Sequence, residues 1–93
     1  MSLRLSVAWE INFTPRAAKA FRKLDKAAQR RVSSTLREIA ELEDPRSRGK
    51  PLVANRVGLW RWRVGNFRVI ADIHDQQVII VVIDVGHRSS IYG

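Results

Sequence analysis

Cysteine is absent from the 93 residues, so the chain can build neither a disulfide framework nor a thiolate metal site. Its two histidines, His74 and His87, are spaced as no zinc motif requires, and no metal is expected. No apolar run approaches the roughly 18–20 residues that cross a bilayer. The longest, Val78 to Ile83, has the length of a strand. Met1 to Phe13 lacks the apolar core of a signal peptide, and the expected location is the cytoplasm, with no membrane partner. Phosphate-binding loops of the GxxxxGK[ST] or GxGxxG type do not occur, and no nucleophile-elbow pattern surrounds a serine. Asp72, Asp75 and Asp84 are too scattered for a two-metal nuclease. Acidic residues are scarce: nine stand against 17 basic ones, for a net charge of +8 and a pI of about 11.3.

Thirteen of the 17 basic residues are arginine, whose planar fork matches a phosphate. Such a balance points to nucleic acid or to an acidic protein as partner. The most ordered pattern in the chain carries three of them. From Leu59 to Ile70, two alternating runs flank Gly65-Asn66, a dipeptide suited to the positive φ of a tight turn. With a two-residue loop, Val64 faces Phe67, Arg63 faces Arg68, Trp62 faces Val69 and Arg61 faces Ile70. Alternation along the strands then puts Trp60, Trp62, Val64, Phe67 and Val69 on one side. Arg61, Arg63 and Arg68 share the other. Like charges opposite each other destabilise a sheet, so this face implies an anion that the chain itself does not supply.

The rest of the chain frames that hairpin. Val7 to Phe13 reads as a strand with Val7, Trp9, Ile11 and Phe13 on one face. Thr14-Pro15 marks a helix start, with Thr as N-cap and Pro at the first helical position. Ala17, Ala18, Phe21 and Leu24 continue at helical spacing. Asp25 ends this helix and caps a second one over Lys26 to Glu43, whose stripe is Ala28, Val32, Leu36 and Ile39. The two form a helical hairpin. Its basic residues include Lys19, Arg22, Lys23 and Arg30, which form either a solvated outer face or a footprint for an extended polyanion. Asp44 to Pro51 reads as a loop carrying Arg46, Arg48 and Lys50. Asp75-Gln76 is expected as a two-residue turn, which would put Arg68 opposite Ile83 on a central strand from Val78. Gly86 breaks that strand. The result is one α+β domain over residues 1–93, ordered β-α-α-β-β-β, with the helical hairpin packed on a small, largely antiparallel sheet.

Arg88 and Tyr92 would leave the sheet where they can fold back toward Arg61, Arg63 and Arg68, with His87 beside them. Packing or surface roles remain open for Tyr92 and His87, and a salt bridge to Asp84 or Asp72 for Arg88. The chemistry that survives elimination is metal-independent attack at a phosphate. Arginines would stabilise the extra charge of a phosphorane while a side chain moves protons. RNA fits this scheme because its own 2′-OH can attack the adjacent phosphorus.

From about Trp9 to Tyr92 the sequence resembles the RelE toxins of toxin–antitoxin modules. The resemblance is carried by Phe13-Thr14-Pro15-Arg16-Ala17, Lys23-Leu24-Asp25 and Gly49-Lys50-Pro51-Leu52. It continues through Leu59 to Val69, Val85-Gly86-His87-Arg88-Ser89 and the closing Ile91-Tyr92. It implies a RelE-like fold and a ribosome-dependent endoribonuclease that cuts the A-site codon without metal or cofactor. The products would be a 2′,3′-cyclic phosphate and a 5′-OH. It assigns phosphate binding and stabilisation to Arg61, Arg63, Arg68 and Arg88, and a general-base or stacking role to Tyr92. Lys19, Arg22, Lys23, Arg30 and Lys50 would bind RNA or the ribosome. Family members often carry lysines at the first two positions. Arginine is a poor proton donor, so His87, whose ring type titrates near neutrality, is the candidate general acid. The implied partners are the 70S ribosome, mRNA and a cognate acidic, RelB-like antitoxin. A gyrase-inhibiting toxin of the related ParE type, or an inactive relative that only binds an antitoxin, would share the fold.

Overall fold

The computed structural model describes residues 8–52 and 58–87. Strand β1 (Glu10–Phe13) leads directly into helix α1 (Pro15–Arg22). The Thr14 hydroxyl accepts the amide of Ala17 at 3.1 Å, and Pro15 takes the first helical position, where no N–H is needed. Asp25 caps α2 (Lys26–Ala40) by accepting from Ala28 at 2.8 Å. The end of α1 has an unusual partner. The Gln29 amide, one turn into α2, donates toward the carbonyls of Phe21, Arg22 and Leu24 at 3.1, 3.3 and 3.0 Å. One side chain thus gives the Arg22 and Leu24 carbonyls a donor, adds to the Leu24 amide at the Phe21 carbonyl, and locks the hairpin corner.

Helix α2 ends at Ala40, three residues before the expected Glu43. Glu41-Leu42-Glu43 would sustain a helix on propensity alone. The Ala40 carbonyl, however, accepts the Trp9 amide at 2.8 Å, so the chain entering β1 takes the group that would have continued the ladder.

A five-stranded sheet lies beneath the helices in the order β1-β5-β4-β3-β2. Its members are β2 (Lys50–Pro51), β3 (Leu59–Val64), β4 (Phe67–His74) and β5 (Ile79–His87). The β1–β5 pair is parallel and the others are antiparallel. The β3–β4 register is the expected one, with Arg63 opposite Arg68 across Gly65-Asn66. The expected face is buried as well. Trp62, Val64, Val69, Ala71, Ile73, Ile80, Val82 and Val85 pack against Ala17, Val32, Leu36 and Ile39 of the helices, with Trp9, Ile11 and Phe13 along the margin.

Three expectations change. Within the stretch expected as loop, Lys50–Pro51 pairs with Trp60 and Arg61 as a short edge strand. Asp75-Gln76 is not a two-residue turn: His74 pairs with Ile79, leaving a four-residue loop closed by Val78 at φ 58°. That left-handed value is rare for a β-branched residue. Val78 is held there by its amide to the Asp75 carbonyl at 3.2 Å and by its own carbonyl, which accepts from Glu10 at 3.0 Å. Finally, a bulge follows: Ala71 pairs with Val82 and Ile70 with Asp84, so Ile83 has no cross-strand mate. Two extra loop residues and one bulged residue move Arg68 from Ile83 to Gly86, and the strand runs through Gly86 to His87.

Gln29→Ala should lower stability by about 1 kcal/mol, a fall in Tm of roughly 4–8 °C by circular dichroism. An unchanged Tm would mean that water serves the same carbonyls equally well. The β4–β5 loop offers a second test. Arg46 donates to both Asp75 oxygens, at 2.9 and 3.0 Å. Those hydrogen bonds, with the cation's charge, hold the Asp75 carboxyl below its ordinary value and raise Arg46 in turn. A carboxyl lowered in the folded state adds stability above its unfolded value and loses it as pH falls through the folded one. Asp75→Asn should therefore be slightly less stable than the parent at pH 7. The gap should begin to narrow below about pH 4. Parallel melting curves from pH 7 down to about pH 2 would check this, and a gap that stays constant over the whole range would rule out the pair.

Candidate nucleic-acid interface

Cross-strand pairing defines two rows on the sheet face away from the helices. Lys50, Arg61, Ile70 and Asp84 make one, and Arg63, Arg68 and Gly86 the next. Neighbouring strands lie about 4.8 Å apart and the rows roughly 7 Å. Three arginines on the β3–β4 hairpin and Lys50 on the adjoining edge strand therefore occupy a patch of nucleotide size. Gly86, half-buried, adds no side chain opposite Arg68. Arg63 is exposed, Arg61 half-buried, and Arg68 only 8% exposed. Ile70 is fully buried beside it, outside the helix-side core cluster.

Two residues at this patch escaped the sequence reading. Arg48 joins Gly49, Lys50, Arg61, Trp62 and Arg63 around a cavity of about 280 Å³ and reaches Glu38 at 3.2 Å. Arg16, in the first turn of α1, contacts the buried Asp84 at 3.3 Å, while the other Asp84 oxygen accepts the Val85 amide at 2.9 Å. The contact joins residues 68 apart in sequence, and no local pattern announces it. Asp84 is also one of the salt-bridge partners expected for Arg88. Arg88 and Tyr92 lie outside the described residues.

His87 is not brought to this face. It pairs with Phe67, two residues beyond the core residue Val85, and its ring lies against Phe67 on the helix side, centroids 4.6 Å apart. The remaining basic candidates also separate from the patch, Lys50 excepted. Lys19 and Lys23 are exposed on α1 and its C-cap. Arg22 borders an apolar groove of about 470 Å³ between β1 and the helices, together with Ile11, Phe13, Ala18, Phe21, Leu36 and Arg37. Arg30 lines a basic hollow that shares Phe21, Ser33 and Arg37 with that groove. Phe13 and Phe21 meet edge-to-face in the groove at 5.6 Å. The chain thus carries two surfaces, a cationic sheet face and a basic-rimmed apolar groove, on opposite sides of the sheet.

The fold is that of the RelE toxins. It superposes on the toxin–antitoxin complex RelBE2 from Mycobacterium tuberculosis with a TM-score of 0.80 and 25% identity, covering 92% of this chain and 98% of that one. The isolated E. coli RelE toxin gives 0.72 and 25%, covering 91% and 92%. The archaeal RelE–RelB complex from Pyrococcus horikoshii gives 0.68 and 26%, covering 89% and 98%. No curated protein sequence matches. A family model described as the ParE toxin of the type II toxin–antitoxin system parDE matches residues 11–92. The chain belongs to this family, within the RelE/ParE superfamily of type II toxins.

The attachment of β2 rests on Gly49. At φ +85° it approaches β3 so closely that a Cβ would lie 2.3 Å from the Arg61 carbonyl. Gly49→Ala should detach Lys50 from the first row. Amide exchange at Leu52, which donates to Leu59 at 3.0 Å, should accelerate at least about tenfold while β4–β5 amides keep their protection. Unchanged exchange at Leu52 would show that β2 does not depend on this approach.

Proposed function

We propose that this toxin is a metal-independent endoribonuclease that enters the ribosomal A site and cuts mRNA there. The observation that carries the reading is the double row of Lys50, Arg61, Arg63 and Arg68 on one face of the sheet. In the reaction, the 2′-oxygen attacks the adjacent phosphorus. A P–O2′ bond forms as the P–O5′ bond breaks, leaving a 2′,3′-cyclic phosphate and a 5′-OH. The 2′-OH gives its proton to a base, and O5′ receives one from an acid. Arg63 and Arg68 pair across the hairpin and stabilise the negative charge that grows on the phosphorane. Arg61 and Lys50 extend the field along the strand of RNA. Donors fixed before the reaction need no reorganisation during it, which is why such electrostatic terms are large. By the family resemblance, Arg88 adds a further guanidinium, and Tyr92 serves as base or stacks on one. His87 faces the other side of the sheet, and in this reading the proton for O5′ comes from another group.

The partner we infer is a cognate acidic, RelB-like antitoxin. The RelBE2 and archaeal neighbours are toxin–antitoxin complexes. The groove along β1, α1 and α2 has an apolar floor and arginines at its margin, as an amphipathic acidic segment would require. A ribosomal substrate implies work in the cytoplasm. Among the described residues, no helix is long and apolar enough to cross a membrane.

One observation favours a second reading, the gyrase-inhibiting toxin expected as the ParE-type alternative: the matching family model is described as ParE. Primer extension on translating ribosomes separates the two. The wild type should give codon-positioned cuts. Arg68→Ala should reduce them by about 10²–10³-fold and Tyr92→Phe severely. A wild type that makes no cuts but inhibits supercoiling by gyrase would replace the first reading with the second.

A further inference from the structure

The position of His87 suits binding better than proton transfer. Its ring is exposed at the end of β5 and rests on the half-buried Phe67, with 4.6 Å between centroids and 40° between planes. The stack sits at the end of the sheet where the β3–β4 turn and the last residues of β5 meet. Guanidiniums bracket it. On the helix side Arg31 of α2 reaches over the turn, so close that a Cβ on Gly65 would lie 2.7 Å from its Nη1. On the opposite face, Arg68 follows Phe67 directly in the chain and pairs with Arg63. Exposed aromatic rings interleaved with arginines are what a single strand of RNA requires, since every base has a π-face and every nucleotide a phosphate.

We propose that the Phe67–His87 pair is a base-stacking subsite. The mRNA strand whose scissile phosphate lies in the arginine rows passes over the end of the sheet and lays a neighbouring base on His87. Arg31 meets the backbone beyond it. The inference rests on the endoribonuclease reading and makes His87 a substrate-binding residue rather than the acid. It predicts that flatness, not the imidazole proton, is what this position supplies.

The experiment is single-turnover cleavage on ribosomes programmed with a defined A-site codon, comparing wild type, His87→Ala and His87→Phe across pH. His87→Phe should stay within about twofold of wild type at every pH. His87→Ala should raise the half-saturating toxin concentration about tenfold, with the maximal rate nearly unchanged. An abasic nucleotide at one codon position should erase the difference between wild type and His87→Ala. The inference is overturned if His87→Phe is as impaired as His87→Ala, if the loss falls on the maximal rate with an altered pH profile, or if the difference survives an abasic residue at each codon position. Absence of cleavage by the wild type instead removes the endoribonuclease reading, and this inference with it.

Discussion

Side chains of β3 and β4 alternate between faces, so burying Trp62, Val64, Val69 and Ala71 beneath the helices obliges Arg61, Arg63 and Arg68 to share the other side. The magnitudes favour this trade. Each large apolar side chain removed from water contributes about 1.5–3 kcal/mol. Repulsion between two like charges 4 Å apart costs about 1 kcal/mol in bulk water and about 4 kcal/mol near a protein surface, less than the several apolar side chains together supply. The core therefore dictates the register and the cations follow. Slipping the hairpin by one residue would expose the tryptophan and bury the arginines, so the cationic face is pinned as firmly as the core itself.

The placement of β5 depends on a subtler irregularity. Lengthening the β4–β5 loop by two residues leaves every side chain on its original face, because the period of a strand is two. The bulge at Ile83 does not. Without it, the alternation that buries Ile80 and Val82 would have sent Asp84 into the core and His87 onto the arginine face. With it, Val85 fills the core, Asp84 emerges to meet Arg16, Gly86 stands opposite Arg68, and His87 turns to Phe67. One unpaired residue thus both sets a glycine opposite Arg68 and turns the imidazole to the other face.

How much of this could be seen in advance follows from where each signal is written. Thr14-Pro15, Asp25 and Gly65-Asn66 act on their own neighbours, and each produced the expected start or turn. The arginine face was legible for the same reason, since alternation across one tight turn is local. The end of α2 was not, because its terminator is the Trp9 amide, brought from another part of the chain. Strand β2 is two residues long and has no periodicity to detect. The bulge falls in Val78-Ile79-Ile80-Val81-Val82-Ile83, where every position is apolar and a slip leaves no mark on the pattern. The face of His87 inherited that ambiguity.

The two surfaces also constrain how such a toxin can be silenced on the proposed reading. The apolar groove opens on the helix side, along edge strand β1, whereas the arginine rows lie on the far face of the same sheet. A partner segment confined to the groove would leave the cations uncovered. To neutralise them directly, an antitoxin needs a second segment that rounds the sheet and carries acid to Arg61, Arg63 and Arg68. The alternative route runs through the fold. Helix α1 lines the groove with Ala18 and Phe21, and its first turn grips Asp84 through Arg16. Asp84 lies one diagonal step from Arg68 on the face away from the helices. A segment bound in the groove would therefore rest on the same helix whose Arg16 meets Asp84.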